Sequence, residues 1–419
     1  MKALHLLKTA RGASWALRQV AELRRAGIDV VVALPSATAG LAPRYAALGA
    51  TVVSVDLDFS PGHPWRLAHA LRRCCRLVTC VRPDVIHSHF VSTTLVARLA
   101  LGRRHPTPRL FQVPGPLHLE HALFRTLDLA TAGPRDAWIA SCRWTREEYL
   151  RRGVPSNRVF LSYYGADLAG IRSGTRGVLR RELGLGPHTP LVGMVAYLYS
   201  PKWFLGQRRG IKGHEDFIDA FAEVARVRPE VRAVVVGGAW TGATRYERRL
   251  RAYARRRCGT AIHFTGNRSD VPDVYADLDV AVHPSHSENC GGAVESLAAA
   301  CPTIATAVGG LPDVVRAGQT GWLVPPRAPR SLAAAMLEAL AGPTLACARA
   351  RAGRALVDRL FDPVRTGRDI VAIYERLLRD RHAVGATPVQ APPAEAPPIE
   401  ASHAQAPPAT ALAQPRTVA

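Results

Sequence analysis

Short apolar runs and amphipathic stretches alternate through the first 170 residues, stop, and begin again near residue 190. KALHLL (2–7), IDVVVALP, TVVSVDL, DVIHSHF (84–90), PRLFQVPG (108–115), DAWIAS and RVFLSYYGAD read as strands. Between them, WALRQVAELRRAG (15–27), LAPRYAALG, PWRLAHALRRCCRLVTCVRP and TREEYLRRG carry helical periodicity, the first stopping at Gly27. The second series opens with PLVGMVAYL (190–198) and HEDFIDAFAEVARVRP (214–229). It continues through VRAVVVGG (231–238), TAIHFTGN, VAVHPS, TIATAV and GWLVPP, with a helix over 329–341. Alternation of this kind implies a mainly parallel sheet with helices on both faces. The restart implies two Rossmann-like units rather than one large sheet.

The expected organisation is therefore α/β, with a first domain over 1–170 and a second over 171–360. FDPVRTGRDIVAIYERLL (361–378) reads as a final helix, and 361–382 is expected to cross back to the first domain. Residues 383–419 hold eight prolines and twelve alanines with little charge, too little apolar surface to offset ordering entropy, so a disordered tail is expected.

Composition narrows the function classes. Hydrophobic residues make up 47% and charged residues 21%, and no apolar run approaches a bilayer span. The N-terminus MKALHLLKTARGAS lacks a signal-peptide pattern, so a cytoplasmic protein is expected. The net charge of +22 invites a nucleic-acid reading, but 51 of the 55 basic residues are arginine and they are spread: +12 over 1–170, +11 over 171–382 and −1 beyond. No basic arm interleaved with aromatics is present, which argues against nucleic acid and leaves an anionic membrane surface or a phosphorylated substrate as the partner. The eight cysteines form no C-x-x-C pair and no zinc spacing. They are expected to be small buried hydrophobes in a reducing compartment.

The chemistry concentrates in HPSHSENCGGAVESLAAACPTIATAVGGLPDVVRAGQTGWLVPP (283–326). Glu288 and Glu295 flank the Gly291–Gly292 pair just beyond a strand. Glycines allow close backbone approach, and a helix starting there aims free amides and a positive dipole end at a ligand. Such a site suits an anionic leaving group, with carboxylates to hold sugar hydroxyls. Gly309–Gly310 ends the next strand at what would be the same sheet edge.

This stretch resembles the donor-site signature of the retaining family 4 glycosyltransferases, which have the two-Rossmann GT-B architecture with a central cleft. By that resemblance Glu288 contacts donor sugar hydroxyls and Glu295 the nucleotide ribose, although six residues separate them here where the family usually has seven. GQRRGIKGHEDFIDAF (206–221) resembles the family's Lys-Gly element, which makes Lys212 the diphosphate cation. The family's arginine after the preceding strand is replaced by Tyr197, and the insertion LYSPKWFLGQRR supplies Arg209 as the expected second phosphate contact. In the first domain, TARGASWAL (9–17) partly matches the glycine-rich first turn, which would bring the Gly12 N–H near the donor phosphates. RPDVIHSHF (82–90) resembles the strand ending in D-x-x-H-x-H, with His87 and His89 near the cleft. Pro114 stands where relatives carry a histidine near the reacting sugar, and His118 is the expected substitute.

The resemblance implies a retaining transferase that moves a sugar from a nucleotide diphosphate sugar to a hydroxyl acceptor without a bound metal or other cofactor. Glu288 and His118 are the expected catalytic residues, with Lys212, Arg209, Glu295, Gly12, Gly291 and Gly292 on the donor. A glycan, lipid-linked or small-molecule acceptor is expected, in cell-envelope or exopolysaccharide synthesis; the basic helix at 64–82 reads either as a solvated face or, by resemblance to relatives acting on lipid-linked acceptors, as a surface that attaches to the inner face of the membrane. The rival readings are a GT-B nucleotide-sugar 2-epimerase, a transferase acting on a natural product, and a non-catalytic protein of the same fold.

Overall fold

The computed structural model describes residues 1–57, 64–203 and 206–385. Strands β1 (Lys2–Leu6), β2 (Asp29–Leu34), β3 (Thr51–Ser54), β4 (Val85–Ser88), β5 (Arg109–Gln112), β6 (Asp136–Ala140) and β7 (Val159–Leu161) form one sheet, in the order β3-β2-β1-β4-β5-β6-β7. Strands β8 (Leu191–Val195), β9 (Arg232–Val236), β10 (Ile262–Gly266), β11 (Val280–His283), β12 (Thr303–Thr306) and β13 (Trp322–Val324) form a second, in the order β10-β9-β8-β11-β12-β13. Every pairing within the two sheets is parallel. Both sheets reverse their winding beside the first strand, between β1 and β4 and between β8 and β11. Open α/β sheets bind ligands outside the carboxyl ends of their strands at such a switch point.

The helices form for legible reasons. His214–Val227 buries Phe217, Ile218, Phe221 and Val224 on one stripe and carries Glu215 and Asp216 in its first turn, where the helix dipole favours acidic groups. Ser14–Arg25 buries Leu17, Val20 and Leu23 and ends on Arg24 and Arg25. The final helix runs over Pro363–Gly385, seven residues past the expected end. Its Ile370, Ile373 and Tyr374 join the first sheet's core, packed with Ala16, Leu17 and Val20. Each such large apolar side chain contributes about 1.5–3 kcal/mol, so the chain's last helix is part of the first sheet's core. Of the segment expected to be disordered, residues 386–419 lie outside the described residues.

Among the helices not anticipated from the pattern are Thr244–Cys258, Val91–Leu101, Ala122–Thr131 and Pro343–Leu360. The first is so rich in arginine that only Leu250 and Ala254 are buried, which leaves little apolar periodicity to read.

The two halves meet along a shared apolar cluster. Cys142, Tyr163 and Leu168 of the first pack with Cys290, Ala293, Leu297 and Leu311 of the second. Asp313 fixes the contact by accepting from the Arg143 N–H and the Tyr163 hydroxyl, both at 2.8 Å.

Candidate functional site

The turn after β8 and the loop after β11 bring the two expected donor residues together. Gly213 starts the His214–Val227 helix at φ 74°, and a Cβ there would stand 1.9 Å from the Pro284 carbonyl oxygen. This close approach of the two backbones aligns Lys212 with Glu288. The Lys212 ammonium forms an ion pair with the Glu288 carboxylate, and only about a fifth of either side chain is exposed (22% and 15%). Burial alone would lower the Lys212 pKa, but the adjoining Glu288 carboxylate outweighs it and holds the ammonium above its ordinary range. Glu288 also takes the Asn289 N–H at 3.1 Å and lies 3.5 Å from the Ser285 hydroxyl. Gly291, at φ 41°, begins the next helix directly against the Glu288 carboxylate.

Lys212, Glu288, Glu295 and Gly292 line one cavity of about 300 Å³ at the carboxyl ends of β8, β9 and β11. An adjoining cavity of about 260 Å³ shares Lys212 and Glu288 and is walled on the far side by Pro114, Gly115 and Leu117 of the first half. A third, of about 570 Å³, continues past Leu117 and Ser287 to Arg208, Arg209 and Arg327. The groove therefore has a cationic and carboxylate-bearing centre in the second half and a wall from the first. An anion seated at Lys212 would meet a compact cation and the start of a helix, and a polyol beside it would meet Glu288.

Alanine at position 213 would force a Cβ into the Pro284 carbonyl and into a left-handed conformation that costs about 1–2 kcal/mol. Gly213→Ala is expected to lower the melting temperature and weaken binding of an anion at Lys212 by about tenfold or more, because each 1.4 kcal/mol is tenfold. Calorimetric titration checks this, and unchanged affinity would contradict the alignment role.

Comparison with known proteins follows the same division of the chain. Residues 203–342 match the family model described as Glycosyl transferases group 1, and residues 12–165 match the Glycosyl transferase 4-like domain. The chain belongs to the group 1 glycosyltransferases. It is 35% identical over 220 residues to the D-inositol 3-phosphate glycosyltransferase of Segniliparus rotundus, a match covering 51% of this chain and 46% of that protein. The matches to the first curated relatives span about half of those proteins' length. Among solved structures, Anabaena HepE in complex with UDP superposes with a TM-score of 0.72 at 21% identity, covering 90% of this chain and all of that one. Sucrose-phosphate synthase from Thermosynechococcus elongatus gives 0.73 at 21% identity, over 91% of this chain and all of that one. At that identity the two structures establish the GT-B fold for this group 1 chain.

The remaining expected residues are placed differently. Arg209 lies in the third cavity, ion-paired with Asp216 and Asp219, and Asp216 also holds His286. The guanidinium is thus already engaged by two carboxylates, one cavity away from Lys212. His118 is buried behind Leu117 with both ring nitrogens occupied: Nε2 lies 3.0 Å from the Tyr149 hydroxyl and Nδ1 3.3 Å from the Gly115 carbonyl. The structure does not bring its ring into the three cavities. Gly12 adopts φ 73° with open space around it, and lines none of the three. His87 and His89 are fully buried under the final helix.

Sequence reading missed Tyr199, Asn267 and Arg268, which line the 300 Å³ cavity. Asn267 accepts the Gly238 N–H at 2.7 Å, and Arg268 is tied to Asp270 and Glu182. Their signal was position alone. Each follows the carboxyl end of a strand in the second sheet, the edge at which Lys212 and Glu288 had already been placed.

Proposed function

We propose that the chain transfers a sugar from a nucleotide diphosphate sugar to a hydroxyl acceptor with retention of anomeric configuration. The observation that carries this reading is the Lys212–Glu288 pair at the centre of a groove between two Rossmann-like halves. The donor diphosphate displaces Glu288 from the ammonium and takes its place, with the amides opening the Gly291–Ala298 helix facing the same charge. Glu288, released, holds hydroxyls of the donor sugar, and Glu295 meets the ribose. The bond from the anomeric carbon to the diphosphate oxygen breaks, and the acceptor oxygen bonds to that carbon. The acceptor's proton leaves on the diphosphate. Lys212 and the helix amides stabilise the leaving charge without a metal at this position. In this reading His118 holds the 115–117 turn that walls the acceptor side, and Arg209 shapes the outer groove.

The acceptor belongs to cell-envelope or exopolysaccharide glycan synthesis, with the enzyme on the cytoplasmic side. Among the described residues no single helix is long and apolar enough to cross a membrane. The Pro64–Val81 helix supports surface attachment, because it exposes Arg66, Arg72, Arg73 and Arg76 beside Trp65. Co-sedimentation with anionic vesicles is expected to fall as salt rises and with Arg72/Arg73/Arg76 neutralised. Binding indifferent to both would remove the membrane from the proposal.

The transfer itself is tested by incubating UDP-, GDP- and ADP-sugars with and without glycan acceptors and following nucleoside diphosphate release. The expected result is release that depends on acceptor, with a product of the donor's anomeric configuration by proton NMR. Conversion of donor alone to its 2-epimer would establish the epimerase instead.

A further inference from the structure

Away from the groove, three histidines meet under the final helix. β1 and β4 pair in parallel with His5 opposite His87, so the two rings share a face, and His89 returns to that face two residues later. All three are fully buried. Their ring centroids lie 4.8 Å (His5–His87), 5.2 Å (His5–His89) and 4.4 Å (His87–His89) apart. His5 Nδ1 stands 3.0 Å from His89 Nε2. The Tyr374 hydroxyl, reaching in from the Pro363–Gly385 helix, takes the other sides of two rings, at 2.6 Å from His87 Nδ1 and 3.1 Å from His5 Nε2. That leaves His89 Nδ1 buried without a hydrogen-bond partner, and His87 Nε2 facing the side chain of Gln112.

We propose that His5, His87 and His89 bind a divalent transition metal of the zinc class, with the Tyr374 hydroxyl as the outer partner that orients two of the three rings. One nitrogen from each ring can be chosen so that all lie within 4.8 Å of one another. Zinc–imidazole bonds of about 2.0–2.1 Å put two ligand nitrogens on one metal roughly 3.0–3.5 Å apart. The His5–His89 separation already meets this, and His87 closes the remainder by a side-chain rotation. If His5 Nε2–H and His87 Nδ1–H both donate to the tyrosine oxygen, His5 Nδ1 and His87 Nε2 present bare lone pairs, the arrangement in which outer hydrogen bonds fix metal-binding histidines. Gln112 offers an oxygen for a fourth position. Because Tyr374 belongs to the last helix and the ligands to the first sheet, the metal would fasten one to the other, independently of the transfer reaction.

The full chain is produced with Zn2+ in the medium and its metal content measured by plasma mass spectrometry, then unfolded and refolded with Co2+ for visible absorption. The expected result is about one Zn2+ per chain and a Co2+ spectrum of nitrogen and oxygen ligands without a thiolate charge-transfer band. His87→Gln should remove the metal. Tyr374→Phe, which keeps the ring and the packing, should weaken binding by about 10–100-fold. Wild-type protein that retains no Zn2+ after refolding with it, metal undiminished in His87→Gln, a thiolate band, or full affinity in Tyr374→Phe would each overturn the assignment. Should His87→Gln fail to fold, Tyr374→Phe decides alone.

Discussion

Replacing Lys212 by alanine is expected to lower kcat/KM by about 10²–10³-fold, the loss seen when one preorganised group on a developing negative charge is removed. The residue supplies a compact cation at a point where the groove also offers a helix start and a carboxylate. Arginine at 212 should not restore activity, since its planar fork cannot occupy a site shaped for a point charge against Glu288. Far-UV circular dichroism should remain unchanged, because Glu288 keeps the Asn289 N–H and the Ser285 hydroxyl. Glu288→Gln is expected to reduce turnover as well. The double variant should lose less than the product of the two single losses, since the residues act on one another. Steady-state kinetics with the donor identified by the nucleotide-sugar screen makes the measurement, and multiplicative losses would contradict the coupling.

The largest stability effect is expected behind the groove's first-half wall, at Arg98. Its guanidinium is 1% exposed and lies 2.6 Å from Asp128 and 3.2 Å from Asp136, whose side chains are equally buried. Arg109 pairs with Asp136 at 2.7 Å, and Trp138 and Tyr149 donate to Asp128. Burial alone would raise the Asp128 carboxyl, but Arg98, with His118 and Tyr149, holds it well below the usual carboxylate range. Removing one partner of a buried pair leaves an uncompensated charge, so Arg98→Ala should cost about 3–5 kcal/mol. Because the folded pKa of Asp128 is depressed, the stability this cluster contributes is present above the unfolded carboxylate pKa. It is lost as pH falls through the depressed folded value. Denaturant unfolding at pH 7 and at progressively lower pH checks both statements. A variant with wild-type stability would mean the charges are solvated rather than buried.

His118 belongs to this same cluster, and its case shows where sequence reading stopped. The imidazole expected near the reacting sugar is the histidine that follows Pro114 most closely in the chain, His118. Nothing in QVPGPLHLEH reveals that Asp128 and Tyr149, from two later helices, would turn the ring inward. Arg209 failed to show its partners for a related reason. In a chain where arginine is the default cation, spacing cannot say which guanidinium meets carboxylates and which meets solvent, and Asp216 and Asp219 lie on the buried side of the helix that follows it. The elements themselves were legible, because parallel strands buried on both faces read as short Val, Ile and Leu runs between helices. Lys212 and Glu288 were legible because glycines marked the backbone approaches that bring them together: Gly213 against Pro284, and Gly291 against Glu288. The three-histidine cluster was half visible, since H-x-H on a strand puts both rings on one face. The remaining histidine, His5, and the tyrosine that orients the rings, Tyr374, stand 82 and 287 residues from His87 and enter only through the sheet order and the last helix.

Titration of UDP, GDP and ADP into the wild type, Lys212→Ala and Glu288→Ala by calorimetry bears most directly on the groove. One of the three nucleotides is expected to bind the wild type and to lose about 10–100-fold in affinity with Lys212→Ala, a cost of about 1.4–2.8 kcal/mol. Glu288→Ala, which frees the ammonium from its carboxylate, should bind that nucleotide as tightly as the wild type or more so. Equal affinity across all three proteins, or no nucleotide bound by any of them, would show that the Lys212–Glu288 cavity is not where the donor sits.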